Sequence, residues 1–226
     1  MAERRARNVA TPAGPKRILV VDDHPVVRDG LAAQVATEPD LVVAWATGDP
    51  AEAVTLIAAH HPDLVIVDIT LEKRSGLDLI RQIRAHQHAV PILVWSMHPE
   101  KLYAERALKA GAQGYIEKIR GGDDILAAIR TVLAGRLYAS VAVMERVLQR
   151  FGAGGSQRSG IDALSDRELQ AFELMGAGLS TVDIAARMNV SPKTVETYRV
   201  RIKEKLGLMS FAEVIQHATA WLLEKR

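Results

Sequence analysis

Between residues 17 and 134, short apolar runs alternate with segments whose apolar residues recur at helical spacing. Because the runs are continuously apolar, both faces of each predicted strand should be buried, as in a parallel sheet covered by helices on both sides. This alternation predicts an α/β fold, a doubly wound (βα)5 parallel sheet in the order 2-1-3-4-5. The predicted strands are RILVVD (17–22), LVVAWA (41–46), LVIVD (64–68), PILVWS (91–96) and QGYIE (113–117), and helical spacing occupies 26–36, 79–86, 100–111 and 122–134.

The pattern from residue 162 onward is helical throughout and is interrupted by helix start signals. Ser165 and Glu168 fit a capping box. Ser191 and Pro192 place an N-cap before a proline at the first helical position. The spacing predicts a small all-α four-helix domain whose second and third helices form a helix-turn-helix. A further start signal is Ser180 or Thr181. The second, third and fourth predicted helices are 181–187, 192–205 and 211–223, and the turn between the second and the third is 188–190.

A helix at 140–151 and the Gly- and Ser-rich stretch GAGGSQRSG (152–160) separate these two halves. Such a composition is typical of a flexible linker. The predicted division is a disordered tail (1–16), a first domain (17–136), a linker helix with a flexible linker (137–161) and a helix-turn-helix domain (162–226).

Composition narrows the class of protein. The chain has 226 residues, of which 48% are hydrophobic and 25% are charged, as in an ordinary globular protein. It has no cysteine, which excludes disulfides and thiolate metal sites and is consistent with a reducing cytoplasm. No apolar run approaches 18 residues, so we expect no transmembrane helix, no membrane partner and a cytoplasmic location.

Five polar residues stand at or just beyond the carboxyl ends of predicted strands, where the ligands of an open parallel sheet bind. Crowded carboxylates resist ionising together, and a hard cation such as Mg²⁺ relieves their repulsion. One carboxylate could then attack a phosphoryl donor, while an amine and a hydroxyl contact the phosphoryl oxygens. Singly, each residue could be a helix cap, a turn residue or a solvated charge; jointly they favour a phosphoryl-transfer site. They are Asp22, Asp23, Asp68, Ser96 and Lys118.

The net charge of the chain is +2, but segment 193–205 carries a local excess of three positive charges. A basic helix of this length could contact phosphates of a nucleic acid. A solvated helix face gives the same charge pattern, so charge alone leaves both interpretations open. The positive residues are Lys193, Arg199, Arg201, Lys203 and Lys205, opposed by Glu196 and Glu204.

Taken together, these motifs resemble a known family. Residues 17–134, with VVDDHPVVRDGL, DLVIVDITL, PILVWSMH and KAGAQGYIEK, resemble a response-regulator receiver domain. Residues 162–226, with LSDRELQAFELMGAGLSTVDIAARMNVSPKTVETYRVRIKEKLG, resemble the LuxR-type helix-turn-helix of the NarL/FixJ group. The resemblance covers most of the chain, and the order of the two domains makes it highly specific.

The resemblance implies a DNA-binding transcriptional regulator of a two-component system, not an enzyme, that a sensor histidine kinase phosphorylates. The receiver would then uncover the basic helix or begin to dimerise. The resemblance implies that Asp68 is the phosphoacceptor and that Mg²⁺ is bound by Asp68, Asp22, Asp23 and the backbone carbonyl of Thr70. It also implies that Ser96 is the switch hydroxyl, that Lys118 is the phosphate partner, and that Tyr115 is the aromatic residue that changes rotamer.

For the second domain, the resemblance implies that helix 192–205 enters the major groove of double-stranded DNA. Such a module reads a short half-site, so a homodimer on DNA is expected. The last helix, 211–223, could supply the dimer contact or pack on its own domain. The residues expected at base edges are Glu196, Thr197 and Val200, and those expected at phosphates are Lys193, Arg199, Arg201 and Lys203.

Two alternatives stay open at this point. Glu72 occupies a position where receivers usually have proline, so the chain could be a DNA-binding regulator with an atypical, phosphorylation-independent receiver. An aspartyl-phosphate hydrolase of the haloacid-dehalogenase type also starts from an Asp at a strand end. Such enzymes carry a second Asp two residues later, where this chain has Thr70. Trp95 and His98 are assigned no chemistry.

Overall fold

Five parallel strands form one sheet in the order β2-β1-β3-β4-β5 in the computed structural model, which describes residues 14–72, 75–86, 89–152 and 160–223. The predicted order is therefore confirmed. Strands β1 and β3 are neighbours, and Val21 pairs with Val67 at their carboxyl ends. The strands are β1 (Lys16–Val21), β2 (Leu41–Thr47), β3 (Leu64–Val67), β4 (Ile92–Ser96) and β5 (Gly114–Glu117).

Helices cover both faces of the sheet, which explains why the strands are continuously apolar. Alternate residues of β1 point to opposite faces, so Ile18 and Val20 join one apolar cluster and Leu19 and Val21 join the other. The first cluster includes residues of α1 and α5, and the second includes residues of α2, α3 and α4. These helices are α1 (Pro25–Val35), α2 (Pro50–His60), α3 (Gly76–Ala85), α4 (Glu100–Ala110) and α5 (Gly122–Leu133).

The second domain begins after α6 and is built from four helices, the first three of which begin at the predicted start signals. Ser165 and Glu168 form a complete capping box, and Ser180 and Ser191 each accept a hydrogen bond from a backbone amide in the first turn. Asn189 ends the second of these helices with a left-handed backbone (φ 52°), which makes the sharp turn of the helix-turn-helix. The linker helix is α6 (Val141–Gly152), and a 3-10 turn follows at Gly160–Ala163. The four helices of the second domain are α7 (Asp166–Gly176), α8 (Thr181–Met188), α9 (Pro192–Leu206) and α10 (Phe211–Leu223).

The predicted tail (1–16) and flexible linker (152–160) fall largely on residues outside the described ranges. No helix within those ranges combines the length and the apolar character that crossing a membrane requires.

Helices α3 and α4 of the first domain contact α7 of the second through paired charges. Asp166 accepts a hydrogen bond from Arg106 at 2.8 Å and also pairs with Arg81. Arg106 donates a second bond to the carbonyl of Leu164 at 2.8 Å. Burial raises the pKa of the Asp166 carboxyl, but the hydrogen bonds from Arg106 and Arg81 outweigh it and hold that pKa below its usual value. Asp166 is therefore a charged link between the domains at neutral pH.

Candidate acidic site and nucleic-acid interface

The acidic site lies where β1 and β3 end. Because Val21 and Val67 pair across these strands, the residues that follow them, Asp22 and Asp68, emerge side by side. Both are buried, with 1% and 5% of their surface exposed. Ligand atoms of Asp22, Asp23, His24 and Asp68 lie within 4.8 Å of one another. The convergence predicted from the strand ends is therefore present.

Lys118, which follows β5, neutralises part of this negative charge. Its Nζ donates to Asp22 Oδ2 at 2.5 Å and to Asp68 Oδ2 at 2.7 Å. Burial lowers the pKa of the ammonium group, but the two carboxylates outweigh burial and raise it above its ordinary value. The same Nζ lies 5.3 Å from the centre of the Trp95 ring. Lys118 is thus charged and fixed over the carboxylates.

Two carboxylates of the site each have one oxygen that accepts no hydrogen bond from the described part of the chain. Asp68 Oδ1 is buried and accepts none from the residues that the structure describes. Asp23 Oδ1 lies 2.7 Å from His24 Nδ1, but without the alignment of a hydrogen bond. Burial raises the pKa of Asp23, and Asp22 and Asp68 add to this effect, while His24 opposes it. A cluster of oxygens with unused acceptor capacity can hold a divalent cation, and its donor set fits Mg²⁺.

The remaining predicted receiver residues surround the acids. Ser96 is fully buried at the end of β4. Tyr115 is 1% exposed, and its hydroxyl donates to the carbonyl oxygen of His98 at 2.7 Å. Burial raises the pKa of Tyr115 well above its ordinary value. Thr70 shares a 2.8 Å hydrogen bond with His98 Nε2 through its hydroxyl. The site therefore includes His98, which our sequence analysis had assigned no chemistry.

The helix-turn-helix presents one face of α9 to solvent. Val195 and Ile202 are fully buried against the domain, as their spacing predicts. On the opposite side, Lys193, Thr197 and Arg201 are exposed, and Val200 is an exposed apolar residue. Lys203 is partly exposed.

Arg199 and Glu196 form a network at the edge of this face. Arg199 Nη1 lies 2.8 Å from Glu196 Oε1 and 3.2 Å from the Thr181 hydroxyl on α8. The Thr181 hydroxyl donates to Glu196 Oε1 at 3.1 Å. The guanidinium of Arg199 also lies 4.4 Å above the ring of Phe211 on α10. These contacts fix Glu196 and tie α9 to its neighbours.

Comparison with known proteins identifies both domains. Residues 18–130 match the response regulator receiver domain, and residues 162–218 match the luxR family of bacterial regulatory proteins. The transcriptional regulatory protein MctR of Rhizobium johnstonii is 33% identical over 202 residues, which are 89% of this chain and 92% of that protein. The chain is a response regulator with a LuxR-type DNA-binding domain. It therefore belongs among two-component transcriptional regulators.

Further relatives cover between 62% and 91% of the response regulator. The transcriptional regulatory protein UhpA of Salmonella typhimurium is 33% identical over 197 residues, 87% of this chain and 94% of that protein. A solved LuxR-family response regulator from Aurantimonas sp. SI85-9A1 is 33% identical, with a TM-score of 0.56 over 62% of this chain and 99% of that one. RcsB of Salmonella enterica shares the fold at 22% identity, with a TM-score of 0.65 over 91% and 99%.

Sequence reasoning located the acids of the response regulator but missed the residues that join its domains. Asp166 and Arg106 pair across 60 positions of sequence, and His98 stands 3.6 Å from Glu173 on α7. Neither pairing has a local periodicity or a strand-end position that would reveal it. His24, beside the acids, was also assigned no role, although its place directly after Asp23 offered a signal.

Proposed function

We propose that the response regulator is switched by transfer of a phosphoryl group to Asp68 from a phosphohistidine of a sensor kinase. This proposal rests on the different contacts of the two oxygens of the Asp68 carboxylate. Its Oδ2 is held by Lys118 at 2.7 Å, while its buried Oδ1 accepts no hydrogen bond from the described residues. One oxygen is therefore anchored, and the other keeps the lone pair that attacks phosphorus.

In the transfer, Asp68 Oδ1 forms a bond to phosphorus as the phosphorus–nitrogen bond of the donor breaks, and the imidazole leaves with the electron pair. Lys118 pairs with a phosphoryl oxygen, and the hydroxyl of Ser96 donates to another. Asp22, Asp23, Asp68 and the carbonyl of Thr70 would hold Mg²⁺, which supplies neutralisation of phosphoryl charge when bound. Tyr115, packed beneath the loop that follows Ser96, follows the movement of that hydroxyl.

The output of this switch is the binding of α9 in the major groove of double-stranded DNA. Its solvent face supports this role, because Lys193, Thr197, Val200 and Arg201 are all exposed. Thr197, Val200 and Glu196 would face base edges, and Lys193, Arg201 and Lys203 would contact phosphates. Arg199 is bound to Glu196 and stacked on Phe211, so we assign it the task of orienting Glu196.

We further propose that two copies bind DNA as a homodimer, because one short module reads only a half-site. The two faces of α10 support this. Val214 and Ala218 are fully buried against their own domain. Ile215 and Leu223 are 44% and 63% exposed on the other side of the helix. The helix can therefore pack on its own domain and still offer an apolar surface to a second copy.

The test compares wild type with Asp68→Asn, with and without beryllofluoride and Mg²⁺. Molecular mass in solution and affinity for promoter DNA are measured on the full chain. We expect the phosphate analogue to change both quantities in wild type and neither in Asp68→Asn. Asp29→Asn, an exposed acid on α1, serves as the matched control and should behave as wild type. DNA binding without any response in wild type would instead support a phosphorylation-independent regulator.

A further inference from the structure

His98 touches both the acidic site and the DNA-binding domain. Its Nε2 shares a 2.8 Å hydrogen bond with the Thr70 hydroxyl, two residues after Asp68. Its Nδ1 lies 3.6 Å from Glu173 Oε2 on α7. Its ring packs on Tyr103 with a centroid separation of 4.5 Å, and the Tyr103 hydroxyl donates to the same carboxylate oxygen at 2.8 Å. One side chain thus spans the distance between the two domains.

The backbone of His98 is tied to the two switch residues. Its carbonyl oxygen accepts the hydroxyl of Tyr115 at 2.7 Å, and its amide stands 3.5 Å from Ser96 Oγ. Any rearrangement in which Ser96 turns toward a phosphoryl group therefore acts on the segment that carries the His98 ring. Because His98 follows Ser96 by two residues, little chain is available to absorb such a movement.

The contact with Glu173 crosses a cleft, not a packed core. The cleft between the domains has a volume of about 990 Å³ and is lined by Thr70, His98 and Tyr103 on one side and by Glu173 and Leu174 on the other. His98 and Glu173 meet through one polar contact at the edge of this cleft, so breaking that single contact costs less than opening the whole interface between the domains. Such a contact is suited to being made and broken during signalling.

We propose that His98 is the coupling residue of the response regulator, and that the line Thr70–His98–Glu173 holds the DNA-binding domain against the receiver while Asp68 is unphosphorylated. This inference rests on the proposed function, because it names how the phosphorylated site releases its output domain. Phosphorylation draws Ser96 and its loop toward the acids, which withdraws His98 from Glu173. Coupling between two sites is reciprocal, so loss of the Glu173 contact also changes the affinity of the acidic site for a phosphate analogue.

The test measures ligand binding and output separately on the full chain. Binding of beryllofluoride with Mg²⁺ is followed by the fluorescence of Trp95, whose ring lies 5.3 Å from Lys118 Nζ. DNA affinity is measured with and without the analogue, and the ratio of the two affinities is the coupling factor. The variants are His98→Ala, His98→Asn, which keeps a polar atom near the Nδ1 position only, and Glu173→Gln. Lys101→Ala, an exposed change on α4, is the control.

A distance measurement reports domain release directly. The chain has no cysteine, so Ala33→Cys and Gln216→Cys, both at exposed positions, allow one spin label on each domain without background labelling. We expect beryllofluoride to broaden the distance distribution in wild type. His98→Ala should show a broader distribution than resting wild type before any analogue is added, although Arg106 and Arg81 still pair with Asp166. His98→Asn should fall between His98→Ala and resting wild type.

In wild type and Lys101→Ala, we expect a coupling factor in the range of about 5 to 150 that is typical of allosteric proteins. In His98→Ala and Glu173→Gln the factor should fall toward one, while beryllofluoride still binds, which shows that the receiver is folded. A wild-type coupling factor in His98→Ala would overturn the inference and leave the proposed function intact. Analogue binding to wild type with no change in DNA affinity would overturn the proposed function itself.

Discussion

Gly76→Ala tests how closely α3 packs against the backbone of the acidic site. Gly76 begins α3, and its amide donates to the carbonyl of Ile69 at 2.8 Å, which draws the helix against the end of β3. A Cβ at this position would lie 1.9 Å from the carbonyl oxygen of Asp68 and 2.9 Å from the Cα of Ile69. Both atoms belong to the backbone that carries the proposed phosphoacceptor. No side-chain rotation can therefore relieve the clash.

The expected cost follows from this geometry. Restoring an ordinary contact of 3.4 Å requires a shift of about 1.5 Å between two backbone segments buried in the same core. Overpacking of this kind costs about 1–3 kcal/mol, and a clash between two backbones belongs at the upper end. Alanine recovers about 0.5–1 kcal/mol of chain entropy. The free energy of unfolding of the receiver should fall by about 2 kcal/mol, which lowers the urea midpoint by about 1 M.

Gly30→Ala, in the same domain, should have the opposite effect on stability. Gly30 lies inside α1, is exposed and has no atom within 4 Å of an added Cβ. This change should raise the free energy of unfolding by about 0.5–1 kcal/mol. Urea unfolding is followed by Trp45 and Trp95 fluorescence in a Trp221→Phe background. If Gly76→Ala unfolds at the wild-type midpoint while Gly30→Ala unfolds later, the packing argument is wrong.

Three further predictions concern charge. Burial raises the pKa of Glu168, but the hydrogen bonds from Lys205 and Ser165 together outweigh burial and hold that pKa below its ordinary 4.5. The stability that Glu168 adds is therefore present above pH 4.5 and is lost as the pH falls through the lowered pKa. Urea unfolding followed by Trp221 fluorescence from pH 7 to 3 should show this loss, and Glu168→Gln should remove it. Lys118→Ala should tighten Mg²⁺ binding several-fold by calorimetry, because a competing cation is removed, yet abolish the response to beryllofluoride. Arg201→Ala should lower the slope of log DNA affinity against log salt by about one, whereas Arg199→Ala should weaken binding with little change of slope.

The acidic site could be predicted because its residues are marked by the strands that carry them. Each of Asp22, Asp68, Ser96 and Lys118 lies at or just beyond the end of an apolar run, and parallel strands place those ends on one edge. The helices of the second domain could be predicted equally well, because their N-caps are local interactions between residues three positions apart. Periodicity and capping are short-range signals, and both were confirmed.

The contacts between the domains could not be predicted in this way. His98 meets Glu173, and Arg106 meets Asp166, only after two separately folded domains have docked. Each of these residues, taken alone, looks like an ordinary member of a loop or a helix surface. Their pairing depends on the relative orientation of the domains, which no local pattern in the sequence encodes.

The relative orientation of the domains also affects how phosphorylation can change DNA binding. Control by covering the recognition helix requires the receiver to bury the face of α9 that enters the groove. With the domains in contact, Lys193, Thr197 and Arg201 remain exposed, and Val200 is 43% exposed. The receiver contacts α7 instead, through Arg106, Tyr103 and Asp78. Release of α7 therefore adds little exposed recognition surface. Release instead lets the DNA-binding domains of two copies adopt the spacing of two half-sites. Phosphorylation should therefore change the affinity of the dimer for a two-half-site operator more than the affinity of one copy for a single half-site.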